Sequence, residues 1–312
     1  MKFFAAIFLA MLAAAPSFAV DFPAKPIKIV VPYPPGGGTD VLTRITAKYL
    51  QESLKQPVIV ENRPGAGASI GIATVSKAAA DGYTLLAIAA GPLNAENLPL
   101  FEPVALFAAP PYLVVINPDV PAKSLAEFIV YAKANPGKLS YGSTGGGAAS
   151  HLSAELLKAM AGIELLHVPY KGTGQALTDL LGGQIQMMVA PTQTVIAQVN
   201  SGKLRALAAT GKLRSVAAPT VPTAAEAGLV GYEATGWFGL VAPANTPKAI
   251  VQKLNSEINA ILASMEVKER LAQLGATPDA LTPEQFLKFI RADNDKWARL
   301  VKERKLEEEI SR

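Results

Sequence analysis

The stretch IKIVVPYPPGGGTD, residues 27–40, decides how this chain is expected to fold. Its first part is an apolar run typical of a strand that is buried on both faces. Three consecutive glycines follow, and apolar residues recur at helical spacing after Thr39, which we expect to cap the helix. Because glycine lets the backbone approach a ligand closely, the stretch predicts a strand, a binding loop and a helix.

The same order of elements recurs along the chain. Apolar runs such as YTLLAIAA (83–90) alternate with helical patterns such as SLAEFIVYAKANPG (124–137). This alternation is typical of a parallel sheet with helices on both faces. We predict two such α/β units, near 20–115 and 118–235, after which the strand-like FGLVAP returns the chain to the first. Two domains joined by crossing strands can close on a ligand by a hinge motion.

The N-terminus has the features of a secretory signal peptide. Lys2 precedes an apolar segment at 3–15, and small residues at 17 and 19 fit a cleavage site before Val20. The apolar segment is shorter than the roughly 20 residues that a membrane span needs. We therefore expect export, with residues 1–19 removed after Ala19 and a soluble mature chain.

Composition limits the chemistry of the chain. Its 312 residues include 29 basic and 25 acidic ones, only two histidines and no cysteine. The weak positive balance does not indicate nucleic-acid binding, and it suits a small anionic ligand about as well. The absence of cysteine excludes thiol catalysis and thiolate metal sites, and the histidines have no metal-ligand spacing. We expect neither a metal nor another cofactor.

A second glycine loop follows the design of the first. The stretch YGSTGGGAASHL (141–152) also predicts a strand, a glycine loop and a helix, with Ser150 as the cap. Neither loop contains the Gly-Lys-Ser/Thr sequence of a P-loop. Two loops, one in each predicted domain, would place backbone N–H groups and positive helix ends on both sides of a cleft. The pattern predicts a small anion held between the domains; tight turns without a ligand are the alternative.

An enzyme is a second interpretation of the second loop. Ser143 lies at a strand-to-helix turn, and a histidine (His151 or His167) with Asp179 could complete a triad. The nucleophile elbow, however, requires glycine two residues before the serine, where this chain has Tyr141. A hydrolase acting on a small acid or ester therefore remains the alternative to a binding protein.

Eight motifs follow one another along the chain: KPIKIVVPYPPGGGTD, VIVENRPGAGASIG, ADGYTLL, YAKANPGKLSYGS, HVPYKGTGQALTDLLGGQI, GKLRALAAT, VPTAAEAG and WFGLVAPANTP. In this order they resemble the Bug family, the periplasmic solute receptors of tripartite tricarboxylate transporters. The resemblance implies a two-lobed venus flytrap, in which each lobe is a mostly parallel sheet flanked by helices, with crossing hinge strands. Lobe 1 would comprise 20–115 and 242–312, and lobe 2 would comprise 116–241.

The resemblance also implies a function. It indicates a periplasmic receptor, not an enzyme, that binds a small organic carboxylate and delivers it to the membrane permease of a tripartite tricarboxylate transporter. A ligand-binding partner of a sensor kinase is the alternative. The resemblance implies no nucleic-acid partner and no membrane span, and we expect a monomer.

The predicted ligand site lies mainly in the two glycine loops. By resemblance, the first loop holds a carboxylate through backbone groups and ordered waters, and the second adds hydroxyl and backbone donors. The predicted residues of the first loop are Tyr33, Gly36, Gly37, Gly38, Thr39 and Asp40. Those of the second loop are Ser143, Thr144, Gly145, Gly147 and Ala148, and the set is completed by Ala90, Tyr170 and Thr192.

Two departures from the family pattern bear on the ligand. Ala148 stands where the family usually has threonine, and the segment 89–104 is shorter and less polar than usual. Both changes remove partners for a second carboxylate, and an unpartnered buried group costs about 1–3 kcal/mol. We therefore expect a monocarboxylate with an apolar or aromatic remainder to bind more tightly than citrate or a C4 dicarboxylate.

Overall fold

The computed structural model of the protein describes residues 22–303, so the predicted signal peptide lies outside the described residues. The elements of the first lobe are β1 (Ile27–Val31), α1 (Gly38–Leu54), β2 (Val58–Asn62), α2 (Ser69–Ser76), β3 (Thr84–Ala89), β4 (Phe101–Ala108), β10 (Phe238–Pro243), α7 (Lys248–Ala263), α8 (Met265–Gln273) and α9 (Pro283–Glu303). The elements of the second lobe are β5 (Tyr112–Ile116), α3 (Leu125–Ala134), β6 (Ser140–Ser143), α4 (Ala149–Ala161), β7 (Leu166–Pro169), α5 (Thr173–Leu181), β8 (Met187–Pro191), α6 (Thr192–Asn200) and β9 (Arg205–Ala209).

The two sheets have the same topology. The strand order is β2-β1-β3-β10-β4 in the first sheet and β7-β6-β8-β5-β9 in the second. Each sheet contains one antiparallel strand, β10 in the first and β5 in the second, and the remaining strands of each sheet run in one direction. The prediction of two α/β lobes with mostly parallel sheets is confirmed.

The antiparallel strands are the ones that carry the chain between the lobes. The chain leaves the first sheet after Ala108 and enters the second at Tyr112, and it returns at Phe238. The two crossing segments pair with each other through an antiparallel bridge between Pro111 and Thr235. The strands therefore cross a few residues before the predicted lobe boundaries, which fall inside β5 and β10.

The strand β1 shows why the quoted stretch forms this fold. Four of its five residues are buried, because helices pack on both faces of the sheet. After it, α1 begins at Gly38 with Gly37 as its N-cap, so the prediction of Thr39 as the cap was wrong. The prediction of Ser150 was wrong in the same way, because Ala148 is the N-cap of α4. Neither observed cap residue makes a side-chain hydrogen bond to its helix.

A membrane-spanning helix needs about 20 predominantly apolar residues. Over residues 22–303, no helix is both long enough and apolar enough to cross a bilayer.

Candidate functional site

The first glycine loop is held in shape by a buried carboxylate. Asp40 accepts hydrogen bonds from the Gly36 N–H at 3.0 Å, from Arg44 Nε at 3.0 Å and from Asn62 Nδ2 at 2.8 Å. Burial acts to raise the pKa of Asp40, but the hydrogen bonds from Arg44, Gly36 and Asn62 outweigh it and hold the pKa below its usual value. The negative charge of Asp40 is therefore compensated by donors of its own loop and by Arg44.

The second glycine loop is fixed by side chains of the helix that follows it. Ser150 Oγ accepts the Thr144 N–H at 3.1 Å and lies 3.2 Å from the Thr144 hydroxyl. The Gly147 N–H donates to His151 Nδ1 at 3.1 Å, which leaves the ring proton of a neutral His151 on Nε2. Each contact reaches back from α4 to the loop, so the loop and the helix start form one unit.

A cavity lies between the lobes where the two loops face each other. The space between its atoms is about 440 Å³ when open solvent is included, and about 30 Å³ of it can hold the centre of a water molecule, so the cleft is narrow. Its lining residues are Tyr33, Gly37, Gly38, Thr39, Ala89, Ala90, Tyr112, Thr144, Ala148, Ala149, Ser150, Thr173, Pro191 and Phe238. No charged side chain is among them. Burial raises the pKa of both Tyr33 and Tyr112, so that both phenols stay protonated and can donate hydrogen bonds.

Four helices begin at this cavity, one from the first lobe (α1) and three from the second (α4, α5 and α6). Their N-cap residues are Gly37, Ala148, Gly172 and Pro191, and none makes a side-chain capping bond. The first N–H groups of a helix have no partner within it, and each helix start carries a partial positive charge of roughly +0.5. The cavity therefore collects positive helix ends without a lysine or arginine in its lining.

Glycines lie at places where the two lobes are in close contact. A Cβ placed on Gly91 of the first lobe would lie 2.5 Å from the carbonyl oxygen of Gly147 in the second. A Cβ on Gly172 of the second lobe would lie 2.8 Å from Pro34 Cδ of the first. Side chains at these positions would hold the lobes apart, so that glycine here allows the cleft to close.

Comparison with known proteins places this architecture in a family. A family model described as the tripartite tricarboxylate transporter family receptor matches residues 42–306. The chain belongs to this receptor family. It is 40% identical over 301 residues to protein BugT of Bordetella pertussis, and the match covers 93% of this chain and 92% of BugT.

Two solved structures extend the comparison to the fold of the receptor. An R. palustris protein solved with adipate superposes with a TM-score of 0.88 at 33% identity, covering 91% of this chain and 98% of that one. MatC from Rhodopseudomonas palustris, solved with malate, gives a TM-score of 0.84 at 32% identity, covering 90% of this chain and 100% of MatC.

The receptor brings about half of the predicted site residues to the cavity. Those in its lining are Tyr33, Gly37, Gly38, Thr39, Ala90, Thr144 and Ala148. Those outside it are Gly36, Asp40, Ser143, Gly145, Gly147, Tyr170 and Thr192. Gly145 and Tyr170 line a neighbouring cavity that shares Tyr33 and Thr144 with the first. Thr192 donates from Oγ1 to the Pro111 carbonyl at 2.7 Å, at the crossing between the lobes.

The sequence analysis missed seven residues of the lining: Ala89, Tyr112, Ala149, Ser150, Thr173, Pro191 and Phe238. Thr173 and Pro191 had a usable signal, since each lies where a strand gives way to a helix, as the glycine loops do. Tyr112 and Phe238 had none, because they reach the cavity from the two crossing strands.

The hydrolase alternative required Ser143, a histidine and Asp179 in one chain of hydrogen bonds. Ser143 Oγ does lie 2.6 Å from His167 Nε2, but the serine side chain is fully buried. Asp179 accepts a hydrogen bond from the Tyr170 hydroxyl at 2.7 Å, and His167 stacks on His151 with ring centroids 4.1 Å apart. The receptor thus uses these residues to pack and fix the second lobe beneath its glycine loop. Among the described residues, no group of three acidic or histidine side chains could hold a metal ion.

Proposed function

We propose that this receptor binds a small organic carboxylate in the inter-lobe cavity and delivers it to a membrane permease of the tripartite tricarboxylate type. The observation that carries the proposal is the meeting of four uncapped helix starts at a cavity whose lining has no charged side chain. Such an arrangement favours an anion held by backbone N–H groups and helix ends.

The lining also favours an apolar body on the ligand. Alanines, Pro191 and Phe238 form much of its wall, and burial of apolar surface against them is favourable. The adipate of the R. palustris relative has such a body, whereas the malate of MatC is shorter and carries a hydroxyl. We also propose that the receptor is a monomer in the periplasm and that it binds the acid without converting it.

The apolar side chains of the lining support the expected preference for a monocarboxylate more strongly than the missing hydroxyl at Ala148 does. Thr144 and Ser150, which carry hydroxyls, line the cavity together with Ala148 and belong to the same loop and helix start, so polar groups are present near Ala148. The helix starts of the second lobe add further donors. We therefore keep as the proposal the preference for an acid with an apolar or aromatic remainder over citrate or a C4 dicarboxylate.

We expect benzoate or adipate to bind about ten-fold more tightly than citrate, because each polar group of citrate that is buried without a partner costs about 1–3 kcal/mol. The measurement is isothermal titration of the mature protein with benzoate, adipate, malate and citrate at constant ionic strength. Recovery of the acids unchanged after incubation is the control against turnover. Tightest binding of citrate or malate would show that the apolar wall does not select the ligand.

We expect Gly37→Val to weaken binding at least about ten-fold while the protein still folds. Gly37 has φ −76° and ψ 167°, which valine adopts readily, and a Cβ there has no neighbour closer than 3.8 Å. The added methyl groups would occupy the cavity beside the helix start. Gly174→Val is the matched control, because Gly174 also lies at a helix start facing the other lobe but is not in the lining. Wild-type affinity in folded Gly37→Val protein would contradict a backbone cradle at this loop.

A further inference from the structure

Gln193 stands out as a buried polar side chain of the second lobe. It lies in the first turn of α6 and is only 7% exposed. Both its Oε1 and its Nε2 are buried without a hydrogen-bond partner among the described residues, which is true of no other side chain there. Leaving such groups buried without partners destabilises the fold, so a glutamine at this position needs an explanation other than stability.

The position of Gln193 points to the first glycine loop. Its Nε2 lies 2.6 Å from the point that a Cβ on Gly38 would occupy, across the contact between the lobes. Gly38 is the first residue of α1 and lines the cavity. The cavity is also lined by Pro191, two residues before the glutamine. The carboxamide therefore reaches from the second lobe to the helix start that we assign to the carboxylate.

We propose that Gln193 is a specificity-determining residue whose Nε2 donates a hydrogen bond to the carboxylate held by the first glycine loop. This rests on the proposed function of the cavity. A neutral amide suits the role, because a lysine buried at the same place would require a paired charge and would be costly whenever the cleft is empty. Because Gln193 belongs to the second lobe, its bond to an acid bound on the first lobe would favour the closed arrangement by the strength of that bond.

The test compares Gln193→Leu with the wild-type protein. Leucine has a similar size and removes both polar atoms, and we expect it to weaken binding of benzoate or adipate about ten-fold or more in isothermal titration. In the absence of acid, we expect the unfolding temperature of Gln193→Leu to be unchanged or higher, because an unpartnered amide has been removed. If Gln193 served only to stabilise the fold, Gln193→Leu would have a lower unfolding temperature than the wild-type protein. Gln193→Glu should bind still more weakly at pH 8 and recover part of its affinity at pH 5, where protonation removes the repulsion between carboxylates.

Gln198→Leu is the matched control, since it makes the same change five residues further along the same helix, and neither glutamine is part of the cavity lining. It should leave affinity unchanged. Wild-type affinity in Gln193→Leu, or a loss no larger than that of Gln198→Leu, overturns the assignment while the proposed function stands. If the wild-type protein itself binds neither acid, the proposed function fails and the assignment fails with it.

Discussion

Replacing Gly91 by alanine is expected to weaken ligand binding about ten- to a hundred-fold, because the added methyl group would hold the lobes apart. A Cβ on Gly91 would lie 2.5 Å from the Gly147 carbonyl oxygen and 3.0 Å from the Ala148 Cα. Both atoms belong to the backbone of the second glycine loop and cannot turn aside as a side chain could. The overlap exists only when the lobes meet, so its cost falls on the closed state that the ligand needs.

The control for this variant separates the steric clash between the lobes from the backbone strain at Gly91. Gly91 has φ +101°, a conformation that costs alanine energy whatever the space around it. Gly228 has φ +102° with nothing within 4 Å of its Cβ position. Gly228→Ala should therefore lose a similar amount of stability and keep its affinity.

Two measurements test whether contact at Gly91 controls closure of the lobes. Isothermal titration gives the affinities, and small-angle scattering gives the radius of gyration with and without acid. The radius should fall on saturation in the wild-type protein and in Gly228→Ala, and should stay large in Gly91→Ala. Equal affinity in the two variants would mean that contact at Gly91 does not control closure.

Acidification is expected to destabilise the protein through His151. This side chain is fully buried, and burial first, then the charges of His167 and Lys158, lower its pKa from 6.5 to about 3. Glu155 also faces it, with Oε1 4.0 Å from His151 Nε2. Between pH 6.5 and 3 the unfolded chain binds a proton that the folded protein does not. Stability contributed by the neutral ring is therefore complete above pH 6.5 and is lost as the pH falls, by about 1.4 kcal/mol for each pH unit.

Urea unfolding at intervals between pH 8 and pH 4.5 measures this slope. In His151→Asn, an amide oxygen can still accept the Gly147 N–H but does not titrate, so we expect lower stability at pH 8 and a flatter dependence on pH. His167→Asn is measured in parallel, because the two rings stack on each other. An unchanged slope in His151→Asn, or a slope removed only by His167→Asn, would assign the proton to another group.

The local pattern of the chain was sufficient to predict the elements that form each half of the site. Continuous apolar runs predicted the buried strands, and the glycine loops predicted helix starts, which the structure places at the cavity between the lobes. The caps were predicted wrongly for a reason tied to that cavity. Thr39 and Ser150 are good capping residues in isolation, yet the helices begin earlier, at Gly37 and Ala148, and leave their N–H groups uncapped at the cavity.

The sequence by itself determined the two α/β units, their alternating strands and helices and the two loops, because these depend on patterns local in the chain. Tertiary structure alone decided which loops meet. Tyr112, Phe238 and Gln193 enter the cleft region only because the crossing strands fold one lobe against the other. The requirement for glycine at Gly91 is likewise set by Gly147, a residue far along the chain and on the other lobe. No periodicity or motif encodes such contacts, because they arise from the distance between two separately folded surfaces.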